Sequence, residues 1–195
     1  MDSVVRQTLP DWQLVLVANG ADAATLRVAE QAAKAERRME IFTEPAPGIA
    51  HALNTGLKFC RGEYVARLDA DDTMPADRLA LQARFLSENP AIGLVSGQVR
   101  FISHNAPGYD AYVEQINGWQ TEEDILRYRF VESPVAHPSV MFRRSLIDTH
   151  GNYSTAAIPE DYELWMRWLT AGVRFAKIPE VVLDWYDSPG RLSRT

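Results

Sequence analysis

The chain has 195 residues, of which 46% are hydrophobic and 24% are charged, and its formal net charge is −6 at pH 7. These values exclude a disordered chain, and the lack of a basic stripe argues against nucleic-acid binding. The length predicts a single domain over residues 1–195 with one sizeable hydrophobic core.

Two further features concern the compartment. Cys60 is the only cysteine, so it cannot form an internal disulfide and suits a reducing environment. The longest apolar stretch near the start, Leu14–Ala18, is far shorter than the roughly 20 residues that cross a bilayer. We therefore expect a cytoplasmic protein without a transmembrane segment.

The first half of the chain alternates short apolar runs with helical periods. Strands are predicted at Leu14–Ala18, which reads as buried on both faces, and at Met39–Glu44, Glu63–Leu68 and Ile92–Ile102. Helices are predicted at about 26–38, from Gly48 to Cys60, and from Pro75 to Asn89. This alternation predicts an α/β fold with a mixed, mainly parallel central sheet flanked by helices.

The second half is less regular. Residues 104–120 are predicted to form a long loop or lid, Thr121–Phe130 a short helix and His137–Arg144 a strand. Residues 159–172 indicate a strong helix whose core face carries Tyr162, Trp165, Met166 and Leu169. Two strands, 173–178 and 181–186, complete the chain.

Three aspartates, Asp69, Asp71 and Asp72, stand at the end of the third predicted strand. Ligands of α/β sheets bind beyond the carboxyl ends of strands. If the chain stays extended through Ala70, Asp69 and Asp71 point the same way and can address one metal–diphosphate, since Mg²⁺ takes only one or two carboxylates. A solvated turn, with Asp72 capping the Pro75 helix, is the alternative.

A second acidic pair, Glu160 and Asp161, occupies the first turn of the last helix, where the helix dipole favours ionised carboxylates. An ionised carboxylate can accept a proton from a hydroxyl nucleophile. Complementation of the dipole alone is the alternative.

Taken together and in this order, four segments resemble the family 2 glycosyltransferases of the GT-A fold. They are DSVVRQTLPDWQLVLVANG, PGIAHALNTGLKFCRGEYVARLDADD, HPSVMFRRSLI and PEDYELWMRW. The resemblance covers essentially the whole chain. It implies inverting transfer of a sugar from a nucleotide-sugar donor to a saccharide or lipid-linked acceptor, with Mg²⁺ or Mn²⁺ as cofactor. It leaves peripheral attachment to the inner face of the membrane and homo-oligomerisation open.

The resemblance also implies roles for individual residues. Asp71 would bind the metal, Asp69 would lie near the ribose, and Asp72 would act from outside the direct ligands. Asp161 would be the general base. The remaining contacts to the nucleotide are expected from Asn19, Asn54, Gly56, Arg67 and Arg191. His137 is a looser candidate near the donor sugar or acceptor, and a purely structural histidine is equally compatible with the sequence.

The sequence departs from the family pattern at three places. The resemblance implies a further strand before Met1, central in the family's sheet, and without it the edges of its neighbours should be exposed. Ala18 and Asn19 stand where the family has an Asp-Asp pair that holds the base. Asp187 stands where a basic residue is common, which leaves Arg191 as the expected phosphate partner.

Two alternatives to an active transferase follow. The chain could be a non-catalytic nucleotide-sugar-binding remnant of the same fold. Alternatively, the segment LDADDT could be the Asp-x-Asp-x-Thr signature of a haloacid-dehalogenase-like phosphatase, with Asp69 as nucleophile and Asp71 as acid/base. Against the phosphatase, Lys177 is not followed by the acidic pair that such enzymes need to hold Mg²⁺.

Overall fold

The computed structural model describes residues 1–102 and 108–187. The helices are α1 (Asp2–Val5), α2 (Ala23–Ala35), α3 (Ile49–Phe59), α4 (Arg78–Glu88), α5 (Tyr109–Gly118), α6 (Glu122–Tyr128), α7 (Ser145–His150) and α8 (Glu160–Thr170). The strands are β1 (Leu14–Ala18), β2 (Met39–Thr43), β3 (Tyr64–Ala66), β4 (Ile92–Ile102), β5 (Met141–Arg143) and β6 (Arg174–Tyr186). The predicted α/β class is confirmed.

The strands form two sheets rather than one. Strands β1 and β2 pair in parallel, and the second sheet has the order β3-β5-β4-β6. In that second sheet β5 runs antiparallel to both β3 and β4, whereas β4 and β6 are parallel. The β-structure is thus mixed, as predicted, with less parallel pairing than the alternation of strands and helices indicated.

The strands β1 and β3 each lie at the end of a sheet. In the described part of the chain β1 pairs with β2 alone and β3 with β5 alone, so each has one edge without a β-partner. The further strand that the resemblance implies before Met1 stays a prediction. The prediction that Leu14–Ala18 is buried on both faces is wrong, since only Ala18 is buried and the other four residues are partly exposed.

Two clusters of buried side chains form the core. One packs α4 and α5 against β4 and β6, and the other centres on Trp165 and Trp168 of α8. The close pairing of β4 with β6 depends on Gly97, because a Cβ there would lie 2.5 Å from Cγ1 of Val182 and 2.8 Å from the carbonyl oxygen of Glu180. The register of the two strands shifts at the same place, between Ser96 and Gln98.

Several predicted elements need correction. Residues 109–118 form helix α5 rather than a loop, because Val113 and Ile116 pack into the core under the aromatic residues of the segment. The two predicted last strands are one strand, β6, which continues through the register shift. The segment from His137 begins as a 3₁₀ turn, and only Met141–Arg143 is strand.

The helices α4, α7 and α8 also differ from expectation. Helix α4 begins at Arg78, so Pro75 precedes the helix instead of occupying its first turn. Helix α7 was not predicted at all. The core face of α8 is formed by Leu164, Trp165, Trp168 and Leu169, which is rotated from the predicted face, so that Tyr162 and Met166 are only half-buried.

No helix within residues 1–102 and 108–187 is both long enough and apolar enough to cross a bilayer. Arg191 lies outside the described residues. The prediction that residues 1–195 form a single domain stays a prediction.

Candidate active site

The carboxyl end of β3 leads directly into the aspartate cluster. Strand β3 ends at Ala66, and the chain turns at Ala70 and Asp71, with the amide of Asp72 donating to the carbonyl of Asp69 at 3.3 Å. The condition under which Asp69 and Asp71 would point the same way, an extended chain through Ala70, is therefore not met. Asp71 is exposed at the turn, and Asp69 lies beside it in sequence with its side chain 34% exposed.

Asp72 has a structural role that the sequence did not reveal. It is buried, and its Oδ1 accepts a hydrogen bond from the amide of Tyr186 at 2.9 Å. Thr73 and Asp184 form a backbone bridge next to it. Asp72 therefore ties the aspartate turn to the end of β6 and does not cap a helix, since the N-cap position of α4 is Asp77.

Arg67 places a positive charge next to Asp69. Its guanidinium lies 2.5 Å from Oδ1 of Asp69, and its side chain is only 12% exposed. Its amide donates to the carbonyl of Val140 at 3.0 Å, which holds the end of β3 against the residue that precedes β5. A nearly buried arginine that is bonded to Asp69 fixes the direction of that carboxylate.

Asn19 is committed to protein contacts. Its amide nitrogen donates to the carbonyls of Glu44 and Ala46 at 2.9 and 2.7 Å, and its Oδ1 accepts from the amide of Gly48 at 3.2 Å. The side chain thus shapes the loop after β2. Its predicted contact to the base stays a prediction.

Asn54 and Gly56 both lie on α3, but they contact different parts of the protein. Asn54 clamps the backbone of Tyr153: its Nδ2 donates to the carbonyl at 2.9 Å and its Oδ1 accepts from the amide at 3.0 Å. Gly56 faces β1, where an added Cβ would be 3.4 Å from Cγ2 of Val17, so it allows close packing of helix on strand. Neither position tests the predicted contact to the nucleotide.

His137 is a buried member of the site. Its Nε2 is 2.9 Å from the hydroxyl of Tyr153, and its Nδ1 is 3.9 Å from a carboxylate oxygen of Glu160. Burial, and to a smaller extent the charge of Arg67, lower the pKa of His137 well below its ordinary value. The imidazole is therefore neutral at pH 7 and acts as a fixed hydrogen-bonding group.

Glu160 and Asp161 begin α8 and approach the cluster from the other side. Burial raises the pKa of both carboxyls above the ordinary range, and the nearby charge of Asp69 raises the pKa further while Arg67 opposes it. The dipole of α8 was expected to favour their ionised forms, but burial has the larger effect. The amide of Tyr162 donates to Oδ1 of Asp161 at 2.8 Å, which orients the carboxylate.

The amide of Arg67 donates to the carbonyl of Val140 at 3.0 Å, and Glu160 lies 3.9 Å from Nδ1 of His137. The 3₁₀ turn that begins at His137 therefore connects the residue that holds Asp69 to the first turn of α8.

Sequence reasoning missed Tyr153, because a lone tyrosine between two helices gives no periodic signal. It also missed Arg78, a fully buried arginine of α4 behind the aspartate turn. The contacts that give both residues their positions come from segments distant in sequence, so no local pattern reveals them.

The residues present fit a divalent cation that is also held by a ligand. Residues 1–102 and 108–187 contain no group of three or more His, Cys, Asp or Glu side chains able to hold a metal. Mg²⁺ is commonly bound by one or two carboxylates, with water and substrate phosphates completing its shell. The exposed Asp71, at a turn beside Asp69, offers that donor set.

Comparison of the fold gives the class of protein. The mannosyltransferase PcManGT from Pyrobaculum calidifontis, solved with GDP-Man and Mn²⁺, superposes with a TM-score of 0.71 at 24% identity, over 98% of this chain and 52% of that one. S. aureus TarS 1-349, solved with UDP-GlcNAc, gives 0.77 at 16% identity, over 100% and 55%. The fold is therefore the GT-A fold of nucleotide-sugar-dependent glycosyltransferases.

Sequence comparison names the family. The model of glycosyl transferase family 2 matches residues 1–151, and the chain belongs to that family. The O-antigen biosynthesis glycosyltransferase WbnJ of Escherichia coli is 26% identical over 190 residues, which cover 95% of this chain and 72% of WbnJ. A PGL/p-HBAD biosynthesis glycosyltransferase of Mycobacterium bovis is 30% identical over 198 residues, covering 100% and 73%. The family assignment confirms the predicted resemblance and decides against the phosphatase.

Proposed function

We propose that this protein transfers a sugar from a nucleotide-diphosphate sugar to an acceptor hydroxyl, in the synthesis of a surface polysaccharide or glycolipid. The observation that supports the proposal is the arrangement of the two acidic clusters around the 3₁₀ turn that begins at His137: Arg67, which is bonded to Asp69, donates its amide to Val140 at one end of this turn, and Glu160 of α8 lies 3.9 Å from His137 at the other. A donor bound at one cluster would thus lie within reach of a base at the other.

Asp161 is proposed as the general base. Burial raises the pKa of its carboxyl, which brings it closer to the working pH and makes the carboxylate a better proton acceptor. The acceptor hydroxyl would lose its proton to Asp161 while its oxygen attacks the anomeric carbon and the bond to the nucleoside diphosphate breaks. A single displacement of this kind inverts the anomeric carbon.

Asp71 is proposed to hold Mg²⁺ or Mn²⁺ together with the diphosphate. A bound cation would supply Lewis-acid stabilisation of the charge on the leaving diphosphate. Asp69, held by Arg67, would face the nucleotide from beside the turn, and the predicted roles of Asn19, Asn54, Gly56 and Arg191 in nucleotide binding are part of the proposal. His137 would keep its neutral imidazole between Tyr153 and Glu160.

The proteins that are similar to this chain support the proposed classes of donor and acceptor. The solved neighbours hold GDP-Man and UDP-GlcNAc, and the relatives are named for O-antigen and PGL/p-HBAD biosynthesis. We therefore propose a nucleotide sugar as donor and a saccharide or lipid-linked acceptor. Cytoplasmic location, peripheral attachment to the membrane and homo-oligomerisation stay predictions.

The test is calorimetric titration with UDP and GDP sugars in the presence and absence of Mn²⁺, followed by a turnover assay that detects released UDP or GDP. We expect metal-dependent binding that Asp71→Ala abolishes. Asp77→Ala is the matched control. Like Asp71, Asp77 is an exposed aspartate that precedes α4 in the sequence, and its side chain makes no capping hydrogen bond to the helix. It should bind as the wild type does.

The outcomes separate the alternatives. Binding together with acceptor-dependent release of nucleotide supports the transferase. Binding with no turnover, across a panel of saccharide and lipid-linked acceptors, would instead identify a nucleotide-sugar-binding remnant. Absence of binding to either nucleotide sugar would refute both.

A further inference from the structure

Arg78 is a fully buried arginine, with 0% of its surface exposed. Arginine is almost never fully buried unless its charge is paired, because desolvation of the guanidinium costs stability. Its side-chain hydrogen bonds go to neutral groups: Nε donates to Oε1 of Gln82 at 2.9 Å, and Nη2 donates to the carbonyls of Arg67 and Val140 at 2.8 and 3.2 Å. The free-energy cost of burying this guanidinium is larger than anchoring a helix requires, which indicates a further role for Arg78.

The two carbonyls that Arg78 binds lie directly behind the proposed site. Arg67 is the residue whose side chain fixes Asp69, and its amide is bonded to the carbonyl of Val140. One guanidinium nitrogen therefore joins the end of β3 to the residue that precedes β5. The aspartate turn starts from this anchored point, two residues further along the chain.

Gln82, one turn along α4, extends the same buried network. Its Nε2 donates to the carbonyls of Val95 in β4 and Ser139 in the 3₁₀ turn, at 3.2 and 2.9 Å. The hydroxyl of Ser139 is in turn 2.6 Å from that of Ser96. The network thus reaches the 3₁₀ turn that carries His137.

The charge of Arg78 also acts on the aspartate turn. Burial, and to a smaller extent the like charge of Arg67, lower the pKa of Arg78 to about 9, and the nearby carboxylate of Asp72 opposes this shift. The cation is consequently retained at pH 7, underneath a turn that carries three aspartates. This positive charge lies close enough to the carboxylate of Asp72 to interact with it electrostatically.

We infer that Arg78 is a positioning residue: its buried guanidinium holds the backbone from which Asp69 and Asp71 are presented, and it thereby sets the affinity of the site for a metal–nucleotide diphosphate. The statement about affinity rests on the proposed function. The statement about the backbone does not.

The experiment compares Arg78→Lys with Arg143→Lys in the full chain. Lysine keeps the charge but cannot reproduce the planar fork that reaches two carbonyls and Gln82 together. Arg143 is the matched control, because its guanidinium also donates to backbone carbonyls, those of Ile92, Leu86 and Asn89, but at the other end of the sheet. Both variants are expected to lower the melting temperature.

Hydrogen exchange followed by mass spectrometry, without ligand and well below each melting temperature, tests the backbone role. In Arg78→Lys, the amides of Arg67, Asp72 and Thr73 should exchange about tenfold faster, which is the effect of one lost net hydrogen bond. In Arg143→Lys they should exchange as in the wild type. Unchanged exchange in Arg78→Lys, or equal acceleration in both variants, would overturn the inference.

Titration with Mn²⁺ and UDP or GDP then tests the effect on affinity. Arg78→Lys should bind about tenfold more weakly, because the loss of about one net hydrogen bond leaves the aspartate turn less ordered. Arg143→Lys should bind as the wild type does. Faster exchange with unchanged affinity would overturn the link to binding. If the wild type binds neither nucleotide, the proposed function fails, and the exchange data still decide whether Arg78 positions the turn.

Discussion

Replacement of Asp161 by asparagine is expected to change activity and stability in opposite directions. Asparagine has nearly the same shape and can keep the hydrogen bond that Oδ1 accepts from the amide of Tyr162 at 2.8 Å. It cannot accept the proton of an acceptor hydroxyl. Loss of a general base costs about 10²–10⁴ in rate, or roughly 3–5 kcal/mol in the barrier.

The effect on stability follows from the pKa. Burial raises the pKa of Asp161 in the folded protein above the ordinary value of 3.8. A carboxyl with a raised folded pKa favours folding at pH below 3.8, and this contribution is lost as the pH rises through the folded value. At neutral pH the ionised Asp161 therefore destabilises the fold, and Asp161→Asn should raise the free energy of unfolding.

The assay pairs steady-state turnover with urea denaturation at neutral and acidic pH. Turnover should fall by at least 10²-fold, with donor affinity nearly unchanged. The gain in stability should be present at pH 7 and shrink as the pH is lowered. In the wild type, turnover should decrease as the pH falls through the raised pKa of Asp161.

Glu160→Gln is the matched control, because burial also raises the pKa of Glu160 and both residues lie in the first turn of α8. It should give the same sign of change in stability with a much smaller loss of turnover. A general base contributes far more than about threefold to the rate. Turnover of Asp161→Asn within about threefold of the wild type would therefore refute the assignment of Asp161.

Two further predictions concern packing around the site and in the sheet. Tyr153→Phe removes the hydroxyl that lies 2.9 Å from Nε2 of buried His137, and should cost about 1–3 kcal/mol in urea denaturation; a change below about 0.5 kcal/mol would count against that hydrogen bond. Gly97→Ala should destabilise by about 1–3 kcal/mol, because its Cβ would lie 2.8 Å from the carbonyl of Glu180. Gly118→Ala, with nothing within 4 Å of its Cβ, is the control for a thermal melt, and equal losses in both variants would contradict the steric explanation.

The sequence predicted the class of fold and the position of the aspartate cluster because both depend on local pattern. An apolar run that ends in Asp69 and Asp71 marks the carboxyl end of a strand whatever its neighbours are. The turn at Ala70 was not predictable in this way, because it depends on the pairing of Asp72 with Tyr186 near the end of the chain. Local pattern fails where a distant strand decides the backbone.

Helix α5 and Arg78 show the same limit in two forms. The segment that contains α5 has glycines and aromatic residues that indicate a loop, and its helix exists because Val113 and Ile116 find a place on the core. Arg78 reads as a polar position on the surface of a helix. Its guanidinium binds the carbonyls of Arg67, directly after β3, and of Val140, directly before β5, and no pattern within α4 encodes these partners.

The main chain and the side chain of Tyr153 bind different partners. Asn54 binds only the main chain of Tyr153, whereas the Tyr153 side chain is left to hold His137. Loss of the Tyr153 hydroxyl therefore leaves both hydrogen bonds between Asn54 and the main chain of residue 153 in place. The loss of stability expected for Tyr153→Phe consequently reports the contact to His137 and not detachment of α3 from the segment before α8.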